Sequence, residues 1–137
     1  MKLSTRSRYG TRLMLDLASH YEEGPVQMGE IAKREDISVK YLEQLIIPLK
    51  KNGFVKSVRG PKGGHVLTRH PRDITMGEVV RALEGGIDLT VCIENPGECT
   101  RSSRCAARGL WEETSKVMYD KLDSVTLLEL IEGDQAK

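Results

Sequence analysis

Residues 38–67 read SVKYLEQLIIPLKKNGFVKSVRGPKGGHVL. The first half has a helical period, with Leu42, Leu45, Ile46 and Leu49 on one stripe. Ser38 is a good N-cap, and Asn52-Gly53 is a usual helix end because glycine accepts positive φ. Pro48 interrupts the stripe. It removes the hydrogen bond to the Gln44 carbonyl and predicts a bent or weakened last turn. Beyond it, residues 54–58 and 65–68 read as two strands, joined by a Gly-rich basic turn, Arg59 to Gly64. A capped helix running into a glycine-rich hairpin is the second half of a winged helix-turn-helix.

The first half lies upstream. Ser4 or Thr5 caps a helix to about Tyr21 or Glu22, with Leu13, Leu17 and Tyr21 on one face. Gly24-Pro25 ends it. A short helix over 28–34 turns Met28, Ile31 and Ala32 inward, and Asp36-Ile37 connects it to Ser38. Downstream, Thr75 and Glu78 form a capping box for a fourth helix to about Leu83. Gly85-Gly86 breaks it, and the segment VCIENPGECTRSSRC follows. A long helix is expected from about Ser103 to Leu122 or Asp123, with Leu110, Trp111, Val117, Met118 and Leu122 as its apolar face. Thr126 and Glu129 cap a last helix over 127–131, and the tail GDQAK is expected to fray. The expected fold is mainly α with a small β-hairpin. It comprises a winged helix-turn-helix domain over 1–84, a cysteine-bearing loop over 85–106, and a dimerisation helix with a C-terminal segment over 107–137.

Composition narrows the function. Of 137 residues, 39% are hydrophobic and 30% charged, as in a soluble globular chain, while aromatics at 4% leave the core to Leu, Ile, Val and Met. No apolar run reaches membrane-spanning length, and the basic N-terminus lacks the apolar core of a secretory signal. A cytoplasmic protein with no membrane partner is expected. The net charge of +1 hides an asymmetry. Residues 1–72 hold 14 Lys/Arg and 7 Asp/Glu, whereas residues 73–137 hold 7 and 13. The first half can face a polyanion, and the second cannot easily do so.

The charge concentrates where the motif needs it. Between Ser38 and Lys62 lie six cations (Lys40, Lys50, Lys51, Lys56, Arg59 and Lys62) and one acid, Glu43. On a recognition helix, Glu43 can accept from cytosine N4 and Gln44 can pair with adenine, while Ser38, Lys40 and Tyr41 can hold phosphates. In the hairpin turn, Arg59 and Lys62 are cations on a ribbon whose glycines, Gly60 among them, let the backbone approach a duplex closely, and the arginine can enter a narrow minor groove. GPKGG lacks the ending of a nucleotide-binding P-loop and no helix follows it. No nucleophile–base pair, paired acids or cofactor motif suggests an enzyme. A homodimer on double-stranded, palindromic DNA is the expected assembly.

All three cysteines lie in one short segment, spaced Cys92-x6-Cys99-x5-Cys105. Thiolates hold iron–sulfur clusters, and a helix N-terminus near Cys105 would favour a thiolate. A zinc site, a thiol redox switch and inert thiols are the other readings, although this spacing is uncommon for zinc. The fourth ligand is open among Glu94, Glu98, Glu112, Glu113, a partner-subunit residue and an exogenous molecule. None of His20, His65 and His70 is near in sequence.

MKLSTRSRYG, YLEQLIIPLKKNGFVKSVRGPKGG and the three-cysteine segment ending in LWEE together resemble the IscR-type family of bacterial iron–sulfur regulators, over about residues 1–130. The resemblance implies a winged-helix transcription factor that dimerises through its long helix. It implies that Glu43 and its neighbours read bases, and that Arg59 and Gly60 approach the minor groove. It also implies that Cys92, Cys99 and Cys105 hold a cluster, 2Fe-2S or alternatively 4Fe-4S. Three positions depart from the pattern. Arg108 stands where the pattern has its ligand His, the first cysteine spacer is one residue longer, and His65 replaces an aromatic Tyr. The rival function is a thiol- or zinc-based redox-responsive winged-helix module that acts through protein partners.

Overall fold

The computed structural model describes residues 2–85, 89, 93 and 95–135. Six helices and one hairpin make up these residues: α1 Thr5–Ser19, α2 Met28–Glu35, α3 Val39–Lys51, β1 Val55–Val58, β2 Gly64–Leu67, α4 Met76–Glu84, α5 Ala106–Asp123 and α6 Leu127–Gln135. Short 3-10 turns occupy Tyr21–Glu23, Pro71–Asp73 and Pro96–Glu98.

Each boundary has a local cause. The Ser4 side chain accepts from Ser7 N and starts α1. Asp36 closes α2 in the left-handed region at φ 53, which a short acidic side chain tolerates. The Ser38 hydroxyl accepts from Tyr41 N at 3.1 Å and starts α3. The helix runs through Pro48 to Lys51, and both Asn52 N and Nδ2 donate to the Pro48 carbonyl beyond it. The full capping box of Thr75 and Glu78 starts α4, and Gly85 ends it at φ 79. β1 and β2 pair antiparallel from Val55↔Leu67 to Val58↔Gly64, with a bridge from His65 back to Val26.

One core joins these elements. Leu13, Met14 and Leu17 of α1 meet Ile31 of α2, Leu42, Leu45 and Leu49 of α3, and Val79, Val80 and Leu83 of α4, all almost fully buried. Gly10 lets α1 and α4 cross closely, since a Cβ there would collide with the Leu83 side chain. The chain returns to this core after the long helix. Leu127 is fully buried, Leu127 N donates to Ile74 O at 3.0 Å, and Met76 N donates to Val125 O at 2.8 Å.

Three ends differ from the sequence reading. The first helix stops at Ser19, and Tyr21 lies in a 3-10 turn. The long helix begins at Ala106 rather than near Ser103, which makes Cys105 its N-cap instead of a first-turn residue. The last helix continues to Gln135, so part of the expected frayed tail is helical.

Candidate nucleic-acid interface and cysteine segment

The outward stripe of α3 carries Lys40, Glu43 and Gln44, all exposed, with Ser38 exposed at its cap. Tyr41 is half-buried: its hydroxyl donates to Thr5 Oγ1 at 3.2 Å, and its ring meets Tyr9 edge-on at 5.9 Å. This residue therefore ties α3 to the start of α1. The guanidinium groups of Arg8 and Arg12 lie 5.8 and 5.5 Å from the Tyr9 ring centre, and Arg12 also pairs with Glu35 at 3.3 Å, which offsets its charge. Sequence reading missed this part. The density of Lys2, Arg6, Arg8 and Arg12 was visible, but nothing local showed that Thr5 and Tyr41 meet across 36 residues.

The hairpin presents Arg59, Gly60 and Lys62, all exposed. Gly60 sits at φ 114, and Gly63 N donates to its carbonyl at 2.9 Å, which closes the tip. The wing is fastened to α3 by Lys50, whose Nζ donates to Ser57 Oγ at 2.7 Å. Opposite Ser57 in the ladder stands His65, with a buried, unpartnered Nδ1. Burial first, and then the Lys50 charge, hold this imidazole below its ordinary value. The Lys50 ammonium is thus engaged with the wing.

Of the cysteines, Cys99 and Cys105 are free and exposed, while Cys92 and Glu94 lie outside the described residues. Cys99 follows the Pro96–Glu98 turn, and Cys105 caps α5 without a side-chain hydrogen bond. Arg108 pairs with Glu112 at 3.2 Å, and its buried Nε has no partner. A guanidinium has no lone pair to give to iron, so residue 108 supplies no fourth ligand. Among the described residues, no three His, Cys, Asp or Glu side chains form a group that could hold a metal. The donor chemistry itself, three thiols in one short segment ending at a helix N-terminus, suits a thiolate-held cluster.

Glu84, at the end of α4, ties that helix to the start of α1. Its Oε1 accepts from Ser4 N at 2.8 Å, Ser4 Oγ at 2.5 Å and Ser7 Oγ at 2.6 Å. Burial pushes this carboxyl up, but the hydrogen bonds from Ser4 and Ser7, helped by Arg6, outweigh it and hold it below the ordinary carboxylate value. A carboxylate at the end of α4 thereby serves the positive end of α1. Sequence reading identified Ser4 as a cap but had no signal for its partner 80 residues away.

A family profile described as "Rrf2: Iron-dependent Transcriptional regulator" matches residues 3–133. The chain belongs to the Rrf2 family. Within that family it is 47% identical over 131 residues to Protein rrf2 of Nitratidesulfovibrio vulgaris, a match covering 96% of this chain and 87% of that protein. Among solved structures it is similar to T. potens IscR, at 41% identity and a TM-score of 0.78, covering 98% of this chain and 88% of that one. It is also similar to CymR (YrzC), the global cysteine regulator of B. subtilis, at 40% identity and a TM-score of 0.79, covering 95% of both chains. The IscR resemblance and the winged-helix class are thus both upheld. This Rrf2-family chain is a DNA-binding transcriptional regulator, like its relatives, and not an enzyme. Among the described residues, no helix is long and apolar enough to cross a membrane.

Proposed function

We propose that the protein is a homodimeric, cytoplasmic, sequence-specific regulator that reports iron–sulfur or redox status through Cys92, Cys99 and Cys105. Residues 1–84 form the DNA-reading unit, residues 85–106 the sensing loop, and residues 107–137 the dimerisation segment. Glu43 and Gln44 read base edges, Ser38, Lys40 and Tyr41 fix the register on phosphates, Arg59 and Gly60 approach the minor groove, and Lys62 adds a wing cation to the phosphate footprint. The observation that carries this reading is the exposure of Glu43 and Gln44 on α3 and of Arg59 and Lys62 on the hairpin, two elements joined by the Lys50–Ser57 bond.

An iron–sulfur cluster, when bound, supplies a redox-active iron centre held by thiolates. Cys92, Cys99 and Cys105 would hold it, and Cys105 stands at the N-terminus of α5, whose dipole suits an anionic cluster. The fourth position is left to a carboxylate, a partner-subunit residue or a small molecule. Glu84 adjoins the loop in sequence, and its bonds to Ser4 and Ser7, with that of Tyr41 to Thr5, link the end of α4 to the DNA face. The exposed apolar residues of α5, Leu110, Trp111 and Val117, supply the dimer contact, and the two-fold axis suits a palindromic operator.

A second reading rests on the exposure of Cys99 and Cys105: thiol oxidation, rather than a cluster, sets the state of the loop. Iron content and the visible spectrum of anaerobically purified protein separate the two. Colour and bound iron support the cluster. A colourless protein that stays iron-free after reconstitution, yet changes its DNA affinity on oxidation, supports the thiol switch. For base reading, Glu43→Ala should alter preference among operator variants more than overall affinity. Unchanged preference would remove Glu43 from the base-reading set.

A further inference from the structure

We propose that Ile47 reads the 5-methyl group of a thymine in the major groove. The inference rests on the DNA-reading assignment of α3 and adds an apolar contact to its polar ones. The inward stripe of α3 hides Leu42, Leu45, Ile46 and Leu49 at 0–6% exposure, whereas Ile47 is 63% exposed. A single exposed apolar side chain is ordinary on a protein surface, so exposure alone decides nothing. Position decides it. At about 100° per residue, Ile47 stands within about 20° of Lys40 and about 40° of Lys51 around the helix, with Glu43 and Gln44 on either side. It is therefore central to the stripe that carries the proposed base readers, between a cation one turn before Glu43 and another one turn after itself.

Thymine is the one base that offers the major groove an apolar group, and branched aliphatic side chains complement it. Ile47 lies about 6 Å along the axis from Glu43, or roughly two base-pair steps. The thymine should fall about that far from the position whose preference Glu43→Ala alters. A polar or charged side chain here would gain a further hydrogen bond or phosphate contact. Isoleucine can offer neither, so what it can discriminate is a methyl group.

The test uses the full-length protein and duplexes that it selects from a random pool. Each thymine in the selected site is replaced by uracil, one at a time, which removes only the methyl group. One thymine per half-site should prove sensitive, with wild-type affinity falling about fourfold on substitution, the value of one buried methyl. Ile47→Ala should lose a similar factor on the thymine duplex and show no further loss on the uracil duplex. Ile47→Val should keep the sensitivity. Circular dichroism and unselected-duplex affinity should be unchanged in both variants, because the side chain is outside the core. Wild-type indifference to every uracil substitution overturns the proposal, as does an Ile47→Ala variant that still discriminates thymine from uracil. If the protein selects no duplex at all, the DNA-reading assignment itself fails, a result separate from either of these.

Discussion

Lys50 shows how a charge count misleads at the scale of one residue. It belongs to the cationic run between Ser38 and Lys62, yet its Nζ lies 2.7 Å from Ser57 Oγ, at the base of the wing. A lysine that contacts phosphate contributes about one ion to the salt dependence of binding, and one that holds the wing does not. Lys50→Met should therefore lower duplex affinity while leaving the slope of log K against log salt unchanged. A slope shallower by about one unit would place Lys50 on a phosphate instead. Residue types alone did reveal much here. Ser38 as cap, Glu43 and Gln44 as outward groups, and Arg59 and Lys62 at an exposed tip all follow from helical period and turn chemistry. Tyr41 follows only in part, because its partners Thr5 and Tyr9 come from α1.

At the scale of elements, the legible features were those with local causes, and the hidden ones were contacts between distant segments. The capping box of α4, the Gly85 stop and the hairpin each follow from a few neighbouring residues. The docking of α4 on α1 does not. It depends on Gly10 facing Leu83 and on Glu84 accepting three hydrogen bonds from Ser4 and Ser7. Glu84→Gln keeps an acceptor oxygen but removes the charge that serves the α1 N-terminus. We expect it to cost about 1 kcal/mol of unfolding free energy at neutral pH. The folded carboxyl is held below its ordinary value, so its contribution is present above the ordinary carboxylate range and lost as pH falls through the folded value. Urea unfolding of both proteins across that range should show the gap closing on acidification. A gap independent of pH would mean that the charge contributes nothing. The start of the long helix was misplaced by three residues for a related reason: Arg101, Ser102 and Ser103 are compatible with a helix, but the chain turns there until Cys105 caps α5.

At the scale of the whole molecule, α5 divides its apolar residues between the core and solvent among the described residues. Met118 and Leu122 pack toward the core, while Leu110, Trp111 and Val117 are 55%, 38% and 67% exposed. The sequence showed the apolar face as a whole but could not divide it between the chain's own core and a partner, since periodicity does not say what covers a stripe. If a second copy covers it, Val117→Lys should shift sedimentation from dimer to monomer at micromolar concentration and weaken binding to a two-half-site operator far more than to a single half-site. An unchanged sedimentation coefficient would place the dimer contact elsewhere.

On this reading the helix-and-wing face docks on a duplex. The most direct measurement of it is the equilibrium affinity for a selected duplex as salt is raised, for the wild type and for Arg59→Ala/Lys62→Met. Both cations are exposed at the wing tip. The wild type should lose affinity steeply with salt, and the double variant should bind more weakly, with a slope shallower by about two units. Affinity indifferent to salt, or a double variant that matches the wild type at every salt concentration, would contradict the account.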